Sequence, residues 1–227
     1  MPPSDSQAPA GETGFIPALR FHRLTPLFDV VAALTVRDQE IKRRVLRHAS
    51  IAHGEDVLDV GCGTGTLALA AAQSEPTATV TGLDADPSIL ERARAKAGAA
   101  GVEIRFDEGM SDALPYADAS FDIVLSTLFF HHLPDDAKHR TAAELQRVLR
   151  PSGRFVVGDL GRPHDPLMRA AVRATVQLLD GVATTALNVR GDLPRVLAEA
   201  GFANVAVRER IRTPTGTYEI VTGTSQL

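Results

Sequence analysis

Three glycines, Gly61, Gly63 and Gly65, recur at alternate positions directly after the apolar run Val57-Leu58-Asp59-Val60. Glycine lets a backbone turn tightly and lets a ligand approach the main chain. A carboxylate, Asp84, closes the next apolar run. An acid at such a strand end can accept hydrogen bonds from both hydroxyls of a ribose, so loop and acid together read as a site for an adenosine-containing cofactor. The dinucleotide fingerprint needs a glycine where this chain has Thr66, and no phosphate-binding Lys-Ser/Thr pair follows the loop. A cofactor without a pyrophosphate suits this pattern better.

A second group, Phe129-Phe130-His131-His132, follows the apolar run Phe121 to Ser126. Histidine is suited to accepting a proton near neutral pH. Either His131 or His132 is therefore a candidate base, or else His132 packs the following helix while His131 faces solvent. Asp159 ends a further apolar run and either contacts substrate or simply finishes the sheet. Cys62 is read as a small buried residue rather than a nucleophile, since nothing around it activates the thiol. The remaining histidines show no metal-ligand spacing, so no metal site is expected.

The elements that must position these residues follow from periodicity. Short apolar runs, at Val57–Val60, Ala78–Leu83, Val102–Phe106, Phe121–Ser126 and Arg154–Asp159, alternate with helical patterns at Thr66–Gln73, Pro87–Ala99 and from Asp135 to Arg150, where Pro151 must stop the helix. Asp86 and Asp135 are expected as helix caps. Such alternation means parallel strands joined by crossover helices. Two runs near the end, Ala203 to Arg208 and Tyr218 to Gly223, have no helix between them and are expected to pair antiparallel. A helix over Leu167–Leu179 inserts after the fifth strand, and a further helix after it is capped by Asp192 and closed by Gly201. Upstream, Leu24 to Leu34 and Arg37 to Ala49 carry helical spacing, and residues 1–14 read as a disordered tail. The expectation is a doubly wound α/β fold: a seven-stranded, mostly parallel sheet with an antiparallel C-terminal strand and a helical cap. Residues 15–50 form N-terminal cap helices, and residues 51–227 form the binding domain with its insertion at about 161–191.

Composition narrows the partners. The 227 residues carry a net charge of −4, which gives no basic field for nucleic acid. No apolar run approaches the roughly 20 residues that span a bilayer, and the first residues lack a signal-peptide pattern. A cytoplasmic protein acting on a small molecule is expected. The single cysteine excludes an internal disulfide. Nothing fixes the oligomeric state, and a homodimer is compatible with the sequence.

Asp59-Val60-Gly61-Cys62-Gly63-Thr64-Gly65 resembles the first motif of the class I S-adenosylmethionine-dependent methyltransferases. Gly82-Leu83-Asp84 resembles the second. Leu114-Pro115-Tyr116 with Ser120-Phe121-Asp122, and Arg147-Val148-Leu149-Arg150-Pro151-Ser152-Gly153, resemble the stretches leading into the fourth and fifth strands. The likeness is closest to the ubiquinone and menaquinone C-methyltransferase branch. It implies a Rossmann-like methyltransferase fold, S-adenosylmethionine as cofactor and methyl transfer to a small acceptor. It further implies that the loop backbone at Gly61 and Gly63 cradles the methionine part, that Asp84 holds the ribose and that Ala85 and Asp86 flank the adenine; Asp59 either orients the cofactor ammonium through the loop or bonds loop amides, and Cys62 and Gly65 belong to the same cofactor loop. Met110, Ser111 and Ser126 complete the expected cofactor site.

Two positions depart from the family. Gly109-Met110-Ser111 replaces the usual Gly-Asp-Ala, which removes an acceptor for the adenine amino group; Asp112 is the alternative acceptor. Ser152 stands where glycine is usual. Phe21, Leu24, Phe28, Phe129, Phe130, Met168 and Val172 are candidates to line an apolar acceptor pocket, favouring a hydrophobic or aromatic acceptor. Two rivals remain at this level: an NAD(P)-dependent oxidoreductase, disfavoured by Thr66, and a non-catalytic S-adenosylmethionine-binding protein.

Overall fold

An apolar strand flanked by strands on both sides needs helices over both faces, and the central strand here has them. A computed structural model describes residues 37–226. In chain order the elements are α1 (Asp38–Ala49), β1 (Asp56–Val60), α2 (Thr66–Ser74), β2 (Thr79–Asp84), α3 (Pro87–Ala99), β3 (Arg105–Glu108), β4 (Phe121–Thr127), α4 (Asp135–Val148) and β5 (Leu149–Leu160). Helices α5 (Pro166–Ala174), α6 (Val176–Asp180), α7 (Val182–Arg190) and α8 (Leu193–Glu199) follow, then β6 (Ala203–Thr213) and β7 (Gly216–Thr224). The strand order is β3-β2-β1-β4-β5-β7-β6. The first five strands are parallel, and β7 runs antiparallel to both β5 and β6.

The order reverses between β1 and β4. In open α/β sheets the ligand crevice lies at such a reversal, beyond the carboxyl ends of the strands. The chain leaving β1 is the glycine loop, and the chain leaving β4 carries Phe129 to His132.

Successive side chains of β1 alternate between two cores. Val57 joins Ile123, Val156 and the α1 residues Ile41 and Val45 on one face. Leu58 and Val60 join Val124, Phe155 and the α4 and α8 residues Leu145, Val196 and Leu197 on the other. Each such fully buried side chain contributes about 1.5–3 kcal/mol, so these faces hold the loops at the crevice rigidly. Helix α1 lies so close to β5 that a Cβ on Gly158 would come within 2.8 Å of both Ile41 and Val45.

The sheet and its antiparallel end follow the sequence expectation; several boundaries do not. β3 begins at Arg105 rather than Val102, because the Val102 amide is still bonded to Ala97 O at the exit of α3. α4 stops at Val148, and Pro151 lies within β5 at an irregularity where Phe121 faces Leu149 but Ile123 faces Arg154. There the ladder skips residues, so proline removes no sheet bond. The insertion is three helices, not one. Thr175 breaks it, its hydroxyl donating to Ala171 O and to Thr215 O, and Gly181 breaks it again at φ 90°. Asp86 caps α3 by accepting from the Ser88 amide at 2.9 Å, as expected. Asp135 instead falls inside the first turn of α4; Asp192 stands at the N-cap position of α8 as expected, but its side chain accepts from Arg190 Nε and not from an α8 amide. The tail at 1–14, the helix over Leu24 to Leu34, and Phe21, Leu24 and Phe28 lie outside the described residues.

Candidate cofactor and acceptor site

The glycine loop is tied to the end of β2. The amides of Gly61 and Cys62 both donate to Leu83 O, at 2.9 and 3.0 Å. Gly63 has φ 52°, in the left-handed region, and a Cβ placed on it would meet nothing within 4 Å. That open space over bare backbone is what close approach of a ligand requires. Gly61 differs: a Cβ there would lie 2.2 Å from the Phe129 ring, which covers it.

Asp84, half-buried, is oriented by two amides. Gly63 N donates to its Oδ2 at 2.8 Å and Asp86 N to its Oδ1 at 3.1 Å. Each carboxylate oxygen keeps a second lone pair. The two oxygens are therefore fixed yet able to receive a pair of vicinal hydroxyls, which is the geometry a ribose presents.

Asp59 is 1% exposed, and neither carboxylate oxygen has a hydrogen-bond partner among the described residues. Burial pushes its carboxyl up from 3.8 to about 7; the Lys42 charge and the nearby Ala68 amide oppose that rise, and the Asp84 charge adds to it. A buried acid with no partner is costly in its charged form, and a cationic ligand group in front of the loop lowers that cost. An open Gly63, a primed Asp84 and an unpartnered Asp59 fit the neutral ribose and the cationic methionine end of S-adenosylmethionine.

The other expected cofactor residues divide. Ala85 is half-buried beside Asp84. Cys62 is buried behind the loop, where burial and the charges of Asp59 and Asp84 push its thiol far above the normal range. Met110 is 48% exposed, next to Gly109, whose amide donates to Asp84 O. Ser111 is buried and its hydroxyl is shared with that of Thr141 at 2.9 Å. The hydroxyl of Ser126 is also internal, donating to Val60 O at 2.8 Å and so tying β4 to the end of β1. Asp112 is held through one oxygen by Arg140 Nε and Nη2, at 3.0 and 2.8 Å.

The two histidines are not equivalent. His131 is buried, with Nδ1 2.7 Å from Asp159 Oδ1. Asp159 also accepts from the amides of Phe129, Phe130 and Leu160 and from the Asn188 side chain. Burial alone raises the Asp159 carboxyl, but the His131 charge and hydrogen bond and the Leu160 amide outweigh it and hold it below the usual carboxylate range. His132 lies against His131, ring centroids 4.0 Å apart. Burial, then the His131 charge, push it down to about 3, so it is neutral and a feeble base near pH 7. Asp159 therefore does more than finish the sheet, and Asn188 enters the site unannounced. Its only sequence signal is a polar residue between Leu187 and Val189.

Of the expected acceptor liners, Phe130 is fully buried beneath the site and Phe129 lies over Gly61. Val172 alone borders the cavity formed by the insertion, and Met168 is buried on the same helix.

Comparison with known proteins identifies the family and the fold. Residues 57–153 match the methyltransferase domain family. A demethylmenaquinone methyltransferase of Deinococcus radiodurans is 36% identical over 159 residues, covering 69% of this chain and 65% of that protein. The chain thus spans about two thirds of that relative's length. An uncharacterized methyltransferase of Synechocystis is 31% identical over 77% of this chain and 80% of its own length. The crystal structure of the YcgJ protein of Bacillus subtilis superimposes with a TM-score of 0.67 at 21% identity, covering 83% of this chain and 99% of the other, which supports the fold.

Proposed function

Because the chain belongs to the class I S-adenosylmethionine-dependent methyltransferases, we propose that it transfers a methyl group from S-adenosylmethionine to a small hydrophobic or aromatic acceptor. The observation that carries this reading is the paired arrangement of Asp84, primed by two amides, and Asp59, buried without a partner behind the open Gly63. The bound cofactor supplies an electrophilic sulfonium methyl.

The chain's own residues bind, orient and exclude water. Asp84 takes the ribose hydroxyls, and the loop backbone at Gly63 faces the methionine part. Asp59 balances positive charge through the loop. Since displacement at the methyl carbon needs alignment above all, the rigid crevice contributes most by holding the reacting atoms in line. Asp159 holds the His131 ring through Nδ1, which supports the reading of His131 as the base that takes an acceptor proton. His132, which burial keeps neutral near pH 7, is not a base in this reading.

An apolar acceptor is supported by the relative named demethylmenaquinone methyltransferase and by the aliphatic wall of the insertion. Calorimetric titration with S-adenosylhomocysteine tests the cofactor reading: wild type binds it and Asp84→Ala binds at least about tenfold more weakly, as loss of a charged hydrogen-bonding group implies. Equal affinity in the two proteins overturns the ribose assignment.

A further inference from the structure

Most arginines in the described part of the chain have an anionic or carbonyl partner. Arg140 bonds Asp112 and Asp136, Arg147 bonds Glu144, and Arg154 bonds Glu55. Arg162, Arg169 and Arg173 have no hydrogen-bond or ion-pair partner among the described residues, and all three border one cavity of about 520 Å³. The rest of its lining is largely apolar, with Val172, Val182 and Val189 among it. Arg169 and Arg173 are one turn apart on α5. Like charges at that spacing destabilise a helix by a few tenths of a kcal/mol, roughly 0.2–0.5. The stem of Arg162 is packed against Gly191, whose Cβ would come 3.0 Å from it.

The cavity is built from segments that follow directly in the chain on two residues of the candidate site. Arg162 lies two residues beyond the end of β5, and Val189 follows Asn188, whose amide is bonded to Asp159 and to Leu160 O. The end of β5 and helix α7, which supply Asp159 and Asn188, thus also supply residues of the cavity lining.

We propose that this cavity binds the acceptor and that the acceptor is an acid: an apolar or aromatic body carrying a carboxylate or phosphate that the three arginines neutralise. The proposal rests on the methyl-transfer reading and narrows its acceptor class. Guanidinium groups pair with such anions in bidentate fashion, and the valines receive the apolar body.

The test compares binding of 2-naphthoate and the neutral 2-naphthol to the full chain, with S-adenosylhomocysteine titrated in parallel. Wild type is expected to bind the acid at least about tenfold more tightly, and Arg169→Gln with Arg173→Gln to remove most of that preference while leaving 2-naphthol unchanged, at about tenfold for a lost charged contact. Arg169→Lys with Arg173→Lys keeps the charges and should keep part of the preference. Retained S-adenosylhomocysteine binding shows that each variant is folded. Equal affinity of wild type for acid and alcohol, or a preference that survives the glutamine pair, overturns the proposal. Failure of wild type to bind S-adenosylhomocysteine, by contrast, overturns the methyl-transfer reading and leaves the naphthoate comparison to judge the cavity alone.

Discussion

Nδ1 of His131 stands 2.7 Å from Oδ1 of Asp159, although the one lies in the turn that follows β4 and the other near the end of the neighbouring β5. The pairing exists because β4 and β5 are neighbours, and it gives His131 a fixed ring orientation. His131→Gln is expected to lower turnover by 10²–10⁴, the usual range for a lost general base of about that size. His132→Gln should leave the pH profile between 6 and 9 unaltered, because a ring whose proton affinity is already down at about 3 does not titrate there. A pH–rate profile of the two variants separates them; a shifted limb in His132→Gln would contradict the assignment.

Asp159 gathers three backbone amides besides His131 and Asn188. Its carboxyl lies below the usual value in the folded protein. A lowered folded value means that the unfolded chain binds the proton more tightly. The stabilising contribution is thus complete above the unfolded value near pH 4 and is lost as pH falls below it. Asp159→Asn should destabilise the protein by about 3 kcal/mol at pH 7, the scale for breaking a buried charged network, and should flatten the acid limb of a denaturant-melt series.

Asp59 works in the opposite sense. Its carboxyl is raised to about 7 in the folded protein. Between about pH 4 and 7 the unfolded chain has already lost this proton while the folded chain keeps it, so stability of the ligand-free protein falls as pH rises through that window. The full penalty is on the order of 4 kcal/mol at 1.36 kcal/mol per pH unit. Asp59→Asn should therefore raise the melting temperature of the ligand-free protein at pH 8 while weakening S-adenosylmethionine binding. A variant that loses stability at pH 8 would show that Asp59 has a structural partner.

Ser152 adopts φ 65°, a left-handed conformation that favours glycine. Ser152→Gly should stabilise the irregular start of β5 by about 0.5–1 kcal/mol, or roughly 1–4 °C in Tm for a domain of this size. Thermal denaturation measures it directly.

The fold was legible because its signals are local. Apolar runs, Asp86 before Pro87, and the glycine loop each announce themselves over a few residues, and the acid at Asp84 follows its own strand. The site's second half was not legible in the same way. Linking Asp159 to His131 requires knowing that β4 and β5 are adjacent, and bringing Asn188 to Asp159 requires the insertion to fold back over the sheet. The insertion itself misled the periodicity, since Thr175 interrupts the helix through a side-chain bond to Thr215 O, on a turn far along the chain. The adenine end is similar: Asp112, a reasonable stand-in acceptor by spacing, is held through Oδ2 by Arg140 of helix α4.

Phe129 lies where a Cβ of Gly61 would be, while nothing approaches the same point on Gly63, and Phe106 and Ala93 crowd it on Gly65. The loop that reads as one motif is thus three separate demands written in the same letter. The first glycine answers to an aromatic side chain of the protein, the second to the guest and the third to the packing of neighbouring helix and strand. Damage at each should announce itself differently: misplacement of the Phe129 to His132 segment, loss of ligand affinity with the fold intact, and loss of the fold.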